Sequence, residues 1–178
     1  MRTHHCGEVA GSEIGKTITV CGWVHHRRDL GGLIFIECRD RTGLLQVVFD
    51  PAEPEVFTIA ERIRKEYVLQ VTGTVQARPK GTENTNLKTG LIELQATSLV
   101  ILNTAEGLPF YPADYQMVGE ESRLKYRYLD LRRLDMFKKL QMRAQVIKSL
   151  RDYLDAQGFI DVETPILTKA TPEGARDY

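Results

Sequence analysis

Apolar and polar residues alternate with a period of two through much of the first hundred positions. Residues 17–26 carry Ile18, Val20 and Val24 on one side, the pattern of a strand with one face on a core. Gly22 and Trp23 interrupt this run, which predicts a bend or bulge there. Residues 33–38 (LIFIEC) and 44–49 (LLQVVF) are two further β-rich runs, and the polar stretch with a glycine between them reads as a turn. The period then changes. Val56, Ile59, Ala60 and Ile63 recur at helical spacing behind Pro54, which predicts one helix of about three turns. Residues 67–76 return to period two, and 78–90 are rich in Gly, Pro, Thr and Asn and read as a loop. Strands are expected again around 91–96 and 99–102.

Strands, one helix and more strands within so short a stretch fit a mainly β fold, a five-stranded barrel of the OB type with one helix. A five-stranded sandwich or an open α+β sheet would give the same periods. The expected boundaries are a barrel domain over 1–104, a hinge or linker over 105–121 and a second domain beginning at 122 and running to 178. The linker has no clear period and carries Gly107, Pro109, Pro112 and Gly119. Beyond it, Phe137, Leu140, Ala144, Ile147, Leu150 and Leu154 form an apolar stripe at helical spacing. Gly158 suits the position just past that helix. Residues 159–163 alternate once more, so this part reads as an α+β fragment, a long helix plus a strand.

Composition narrows the class. Of 178 residues, 42% are hydrophobic and 27% charged, as in ordinary globular proteins. No apolar run approaches the roughly 20 residues of a membrane span. The N-terminus, MRTHHCGEV, lacks the apolar core of a signal peptide, so a cytoplasmic protein without a membrane partner is expected. Cys6, Cys21 and Cys38 are odd in number and far apart, which argues for buried reduced thiols and against a disulfide framework. The histidine pairs His4-His5 and His25-His26 have no ligand partners at metal spacing, so no metal site is expected. Basic and acidic residues balance at 24 each, which argues against a non-specific polyanion binder, DNA included. Locally, 122–143 holds eight basic residues against Asp130 and Asp135. That excess suits a solvated helix face or a track along a phosphate backbone.

Strand alternation selects the candidate binding residues. Ile34, Ile36 and Cys38 form one row and suit a core, which turns Leu33, Phe35 and Glu37 outward. OB barrels bind oligonucleotides on this second and third strand face. An outward Phe35 can stack on a base, or pack beneath a loop. Gln46, between Leu45 and Val47, also faces outward and can hydrogen-bond a base edge. Glu93, inside the apolar run LIELQ, can accept from a base amino group. Arg28, at the end of the patch HHRR, can meet phosphate or base, or simply be solvated.

Four stretches then carry a family resemblance: VCGWVHHRRDLGGLIFIECRDRTG, VTGTVQARP, RLKYRYLDLRR and GFIDVETPILTKATPEGARDY. In this order and spacing they resemble the N-terminal part of bacterial aspartyl-tRNA synthetases, along the whole chain. The last one resembles motif 1 of the class II enzymes. The resemblance implies an OB-type anticodon-binding domain, a hinge and the start of a class II catalytic domain. It implies that Phe35 stacks on the central anticodon base and Gln46 hydrogen-bonds it, while Arg28, Arg78 and Glu93 read the rest. It further implies an anticodon-loop contact at Asn84, a bearing of Leu30 and Thr82 on tRNA specificity, a dimer-interface role for Pro165 and an L-aspartate contact at Glu173. The parent would activate L-aspartate with ATP and Mg2+ and attach it to the tRNA 3′ end, as a homodimer. No motif 2 or motif 3 arginine occurs among the 178 residues. No catalytic residue is therefore expected within the chain, no cofactor is expected bound to it, and the chain alone is expected to be inactive. A stand-alone tRNA-binding or regulatory protein, or an asparaginyl or lysyl relative, is the alternative.

Overall fold

The structure, a computed structural model, describes residues 1–112 and 118–167. The chain forms two compact units, Met1–Gly107 and Leu108–Tyr178.

The first unit is a closed barrel. Its strands are β1 (Thr17–Leu30), β2 (Leu33–Arg39), β3 (Leu44–Phe49), β4 (Val68–Ala77) and β5 (Ile92–Asn103), with helix α1 (Pro54–Glu61) between β3 and β4. They close in the order β1-β2-β3-β5-β4. The β3–β5 pair is parallel, and the others are antiparallel. Closure removes the sheet edges that an open sheet would leave unpaired. The interior is apolar: Ile18, Val20, Val24, Ile34, Ile36, Leu45, Val47, Phe49, Leu69, Val71 and Leu94 are among its buried residues, with Ala60 and Ile63 packing from the helical segment. Pro54 occupies the first turn of α1, where its missing N–H costs nothing.

Three sequence expectations need adjusting. β1 runs on to Leu30, and a tight turn through Gly31 and Gly32 joins it to β2 (φ 61° and 82°). The bulge in β1 falls between Val24 and His26 rather than at Gly22. Gly22 serves clearance instead: a Cβ there would lie 2.5 Å from the Arg39 carbonyl oxygen and 2.7 Å from Cys38 Sγ. The two short strands expected around 91–96 and 99–102 are one strand, β5, made irregular where its register against β4 shifts at Thr72/Gly73.

A short N-terminal segment docks on the β2–β3 turn. The Cys6 N–H donates to Asp40 Oδ2 at 2.7 Å, and the Gly7 N–H donates to Thr42 Oγ1 at 2.9 Å. All three cysteines are free thiols; Cys6 and Cys38 are buried and Cys21 is half-buried.

The described part of the second unit contains the helices α2 (Glu120–Lys125), α3 (Arg127–Asp130) and α4 (Leu134–Ala156). The α4 stripe of Phe137, Leu140, Ile147, Leu150 and Leu154 is exposed. Gly158 has a left-handed backbone (φ 86°). Its N–H bonds to the Asp155 carbonyl at 2.9 Å and that of Phe159 to the Leu154 carbonyl at 3.1 Å, a Schellman closure of the helix. The strand expected over 159–163 is irregular backbone instead. A strand needs a neighbour for its ladder, and no other strand occurs among the described residues of this unit.

Candidate nucleic-acid interface

Register places the candidate side chains of the barrel in two rows. Across β1, β2 and β3, His26 opposes Glu37 and Glu37 opposes Gln46. One step along, Arg28 opposes Phe35 and Phe35 opposes Val48. The pairing of Val47 with Leu94 and of Val48 with Gln95 carries both rows onto β5, and Glu93 then opposes Gln76 on β4. Phe35 and Gln46 therefore share one face of the sheet as diagonal neighbours. The opposite face carries Ile34, Ile36, Leu45 and Val47 into the core.

A hydrogen-bonded chain runs along this face. Gln46 Nε2 donates to Glu93 Oε2 at 2.8 Å. Gln76 Nε2 donates to Glu93 Oε1 at 3.0 Å and to Gln95 Oε1 at 3.3 Å. At the other end Arg28 Nη2 donates to Gln46 Oε1 at 3.3 Å and pairs with Glu37 Oε1 at 3.5 Å. The row is more enclosed than alternation alone suggests: Gln46 is 6% exposed and Glu93 4%. Phe35 is half-buried and Arg28 exposed. The result is a partly open aromatic ring beside an amide whose two ends are already polarised.

Arg78 extends the cluster from the end of β4. It is 8% exposed, and its Nε donates to the Ile92 carbonyl at 3.0 Å. Its Nη1 reaches the Thr82 carbonyl at 3.5 Å, while Nη2 is buried without a hydrogen-bond partner. Burial pulls the Arg78 guanidinium below its ordinary value, Glu93 opposes that and Arg28 reinforces it. A buried donor with no partner is a costly feature, and it suits a group that meets an acceptor only when a ligand arrives.

The remaining candidates lie outside this row, Thr82 meeting it through the contact of its carbonyl with Arg78. Leu30 is exposed beside the β1–β2 turn. Thr82 is exposed, its hydroxyl donating to the Pro79 carbonyl at 2.8 Å. Asn84 braces its own loop: Oδ1 accepts from the Asn86 N–H at 3.1 Å, and its main-chain N–H bonds to the Gly90 carbonyl at 3.0 Å. Pro165 lies in the irregular segment after α4 and is exposed. Glu173 falls outside the described residues.

Alternation turns Glu37 outward and could have done the same for Gln76, but nothing in the sequence says that Gln76 neighbours Glu93. A second cluster sits where β1 bulges: Arg39 Nη2 donates to Glu66 Oε2 at 2.7 Å and Nη1 to His25 Nδ1 at 3.1 Å. Burial, then the nearby Arg39 charge, lowers the His25 ring below its usual range, and because a guanidinium has no acceptor, Nδ1 is the accepting atom of this contact. In the second unit Asp130 pairs with Arg127 and Arg133, and Arg133 also with Asp135 at 2.6 Å. Part of the local basic excess is thus neutralised internally. Among the described residues no group of three or more His, Cys, Asp or Glu is placed to hold a metal ion, and no helix is long and apolar enough to cross a membrane.

Comparison with known proteins agrees with this geometry. Residues 18–102 match the OB-fold nucleic acid binding domain family of tRNA anticodon type, and residues 119–178 match the class II tRNA synthetases of the D, K and N group. The chain is 58% identical over 178 residues to an aspartate–tRNA(Asp/Asn) ligase from Geobacillus sp. (strain WCH70). The chain resembles the class II tRNA synthetases along nearly its whole length. It covers 99% of itself but 30% of that relative's length. Among solved synthetases, that for asparagine from Pyrococcus horikoshii, complexed with asparaginyl-adenylate, is similar at TM-score 0.80 and 26% identity, over 98% of this chain and 39% of that one. An aspartyl-tRNA synthetase from Entamoeba histolytica shares the fold at TM-score 0.83 and 21% identity, over 97% of this chain and 41% of the other. The barrel bearing the Phe35–Gln46 face thus falls in the segment that matches the OB-fold family, and the long α4 helix in the segment that matches the class II synthetases.

Proposed function

We propose that this chain is the anticodon-binding part, with the start of the catalytic domain, of a cytoplasmic aspartate–tRNA ligase. The observation that carries the proposal is the Gln46 amide, held between Glu93 and Arg28 on the sheet face of Phe35. Its second N–H and second oxygen lone pair can meet a donor–acceptor base edge, while the half-buried ring of Phe35 offers the unstacked base a platform. Arg28, Arg78 and Glu93 then contact the flanking anticodon nucleotides, with Asn84 on the anticodon loop and Leu30 and Thr82 tuning specificity. Pro165 belongs to the dimer interface of the parent homodimer, and Glu173 to its L-aspartate site.

The class II family implies ATP and Mg2+ for the parent, which activates L-aspartate and transfers it to the tRNA 3′ end. Among the described residues no acidic cluster fits Mg2+, so no step of that reaction is assigned to them. These 178 residues alone are expected to show no ATP–pyrophosphate exchange.

Titration of the chain with anticodon stem-loops tests the proposal. Tight binding that falls when only the central anticodon base is changed supports it; equal affinity for every central base refutes it. The 58% identity to a ligase named for both Asp and Asn tRNA favours a second reading, in which the asparagine stem-loop binds comparably and the lysine stem-loop more weakly.

A further inference from the structure

Building on that anticodon-reading proposal, we infer that Gln76, which lies two strands away from Gln46, is a positioning residue that sets how Gln46 presents its amide to a base. Gln46 sits between two partners of opposite character. A carboxylate has no donor and a guanidinium no acceptor, so Glu93 draws the Nε2 end of the amide and Arg28 the Oε1 end. The two constraints differ in strength. Arg28 is a long, exposed side chain, its contact with Gln46 is 3.3 Å, and it is shared with Glu37. Glu93 is 4% exposed and lies 2.8 Å from Gln46. The orientation of the amide therefore depends mainly on where Glu93 holds its Oε2.

Gln76 fixes that oxygen. Its Nε2 spends one proton on Glu93 Oε1 at 3.0 Å and the other on Gln95 Oε1 at 3.3 Å. Directly opposite Glu93 on the neighbouring strand, it prevents the carboxylate from rotating about its terminal torsion. Without this donor the carboxylate turns toward other partners, and the Gln46 amide loses its single acceptor on that side. A flipped amide exchanges donor for acceptor at the base edge, so the discrimination between bases falls while the phosphate contacts remain. Gln76 acts through Glu93, without touching the nucleic acid.

The test uses the 178-residue chain, the variants Q76M and Q76E, and three anticodon stem-loops identical but for the central base. Q76M keeps the length and removes the donor; Q76E also sets a second carboxylate against Glu93. Thermal melts establish folding, and either variant alone suffices. The expected result is a drop in central-base discrimination of about fivefold or more, larger for Q76E, with an unchanged salt dependence of binding. The Gln46 side-chain amide pair in a 15N spectrum, assigned by its loss in Q46L, should shift or double in the free protein. A merely structural Gln76 would move neither reading. Unchanged discrimination in a folded variant, or an unmoved Gln46 amide pair, overturns the inference. If the wild-type chain shows no central-base preference, the anticodon proposal itself has failed, and the amide spectrum still decides whether Gln76 orients Gln46.

Discussion

Gln46 and Glu93 are 47 residues apart in sequence, yet their side chains meet at 2.8 Å in a nearly buried hydrogen bond. The parallel pairing of β3 with β5 makes the contact. Its energetics are asymmetric. Removing Gln46 strands a buried carboxylate oxygen, at a cost of about 1–3 kcal/mol, whereas replacing both partners with apolar groups can be nearly neutral. Urea denaturation should show Q46L destabilised by about that amount, with the double variant Q46L/E93L recovering much of the loss. Additive losses would mean that the two side chains do not couple.

Phe35 is half-buried and lies outside the core cluster, so its truncation should weaken RNA binding more than folding. Phe35→Ala is expected to reduce anticodon stem-loop affinity by about 1–3 kcal/mol through lost stacking, measured by fluorescence titration. A folded variant with wild-type affinity removes Phe35 from the binding face.

Asp40 ties the N-terminal segment to the β2–β3 turn. Burial alone pushes its carboxyl up, but hydrogen bonds from the Thr42 hydroxyl, the Cys6 and Thr42 N–H groups and the His5 ring outweigh that and bring it down to about 2. A carboxyl lowered by folding contributes stability that is fully present above its unfolded value, near pH 4, and lost as pH falls toward the folded one. Stability measured from pH 5 to pH 2 should therefore fall in the wild type and fall less steeply in D40N. At neutral pH, D40N should be the less stable protein, with faster hydrogen exchange at the Cys6 and Gly7 amides.

Gly22 allows two strands to approach. A methyl group there would meet the Arg39 carbonyl oxygen at 2.5 Å and Cys38 Sγ at 2.7 Å. Because the first obstacle is backbone, it cannot rotate away. Gly22→Ala should cost about 2–4 kcal/mol, read as a lowered melting temperature. A loss below about 0.5 kcal/mol would show that the strands can separate freely at this point.

Much of the barrel was legible in the sequence. Ile34, Ile36 and Cys38 alternate with Leu33, Phe35 and Glu37, and the first three are buried in the barrel. Gly158 ends α4 with the positive φ that its position after the apolar stripe suggests. The strand expected at 159–163 was not legible in the same way, because alternation states a preference but supplies no partner. Gln46 was identified as outward, yet its 6% exposure came from neighbours on β5 and from Arg28, which alternation does not reveal.

Local geometry explains this division. Successive side chains on a strand point to opposite faces whatever the strand's neighbours, so the sequence by itself determined which residues enter the core and which share the outer row with Phe35. Strand adjacency is a property of closure. Only the folded barrel set β5 between β3 and β4, bringing Gln46, Glu93 and Gln76 into one hydrogen-bonded chain. Only the close approach of β1 to β2 showed why residue 22 has no side chain.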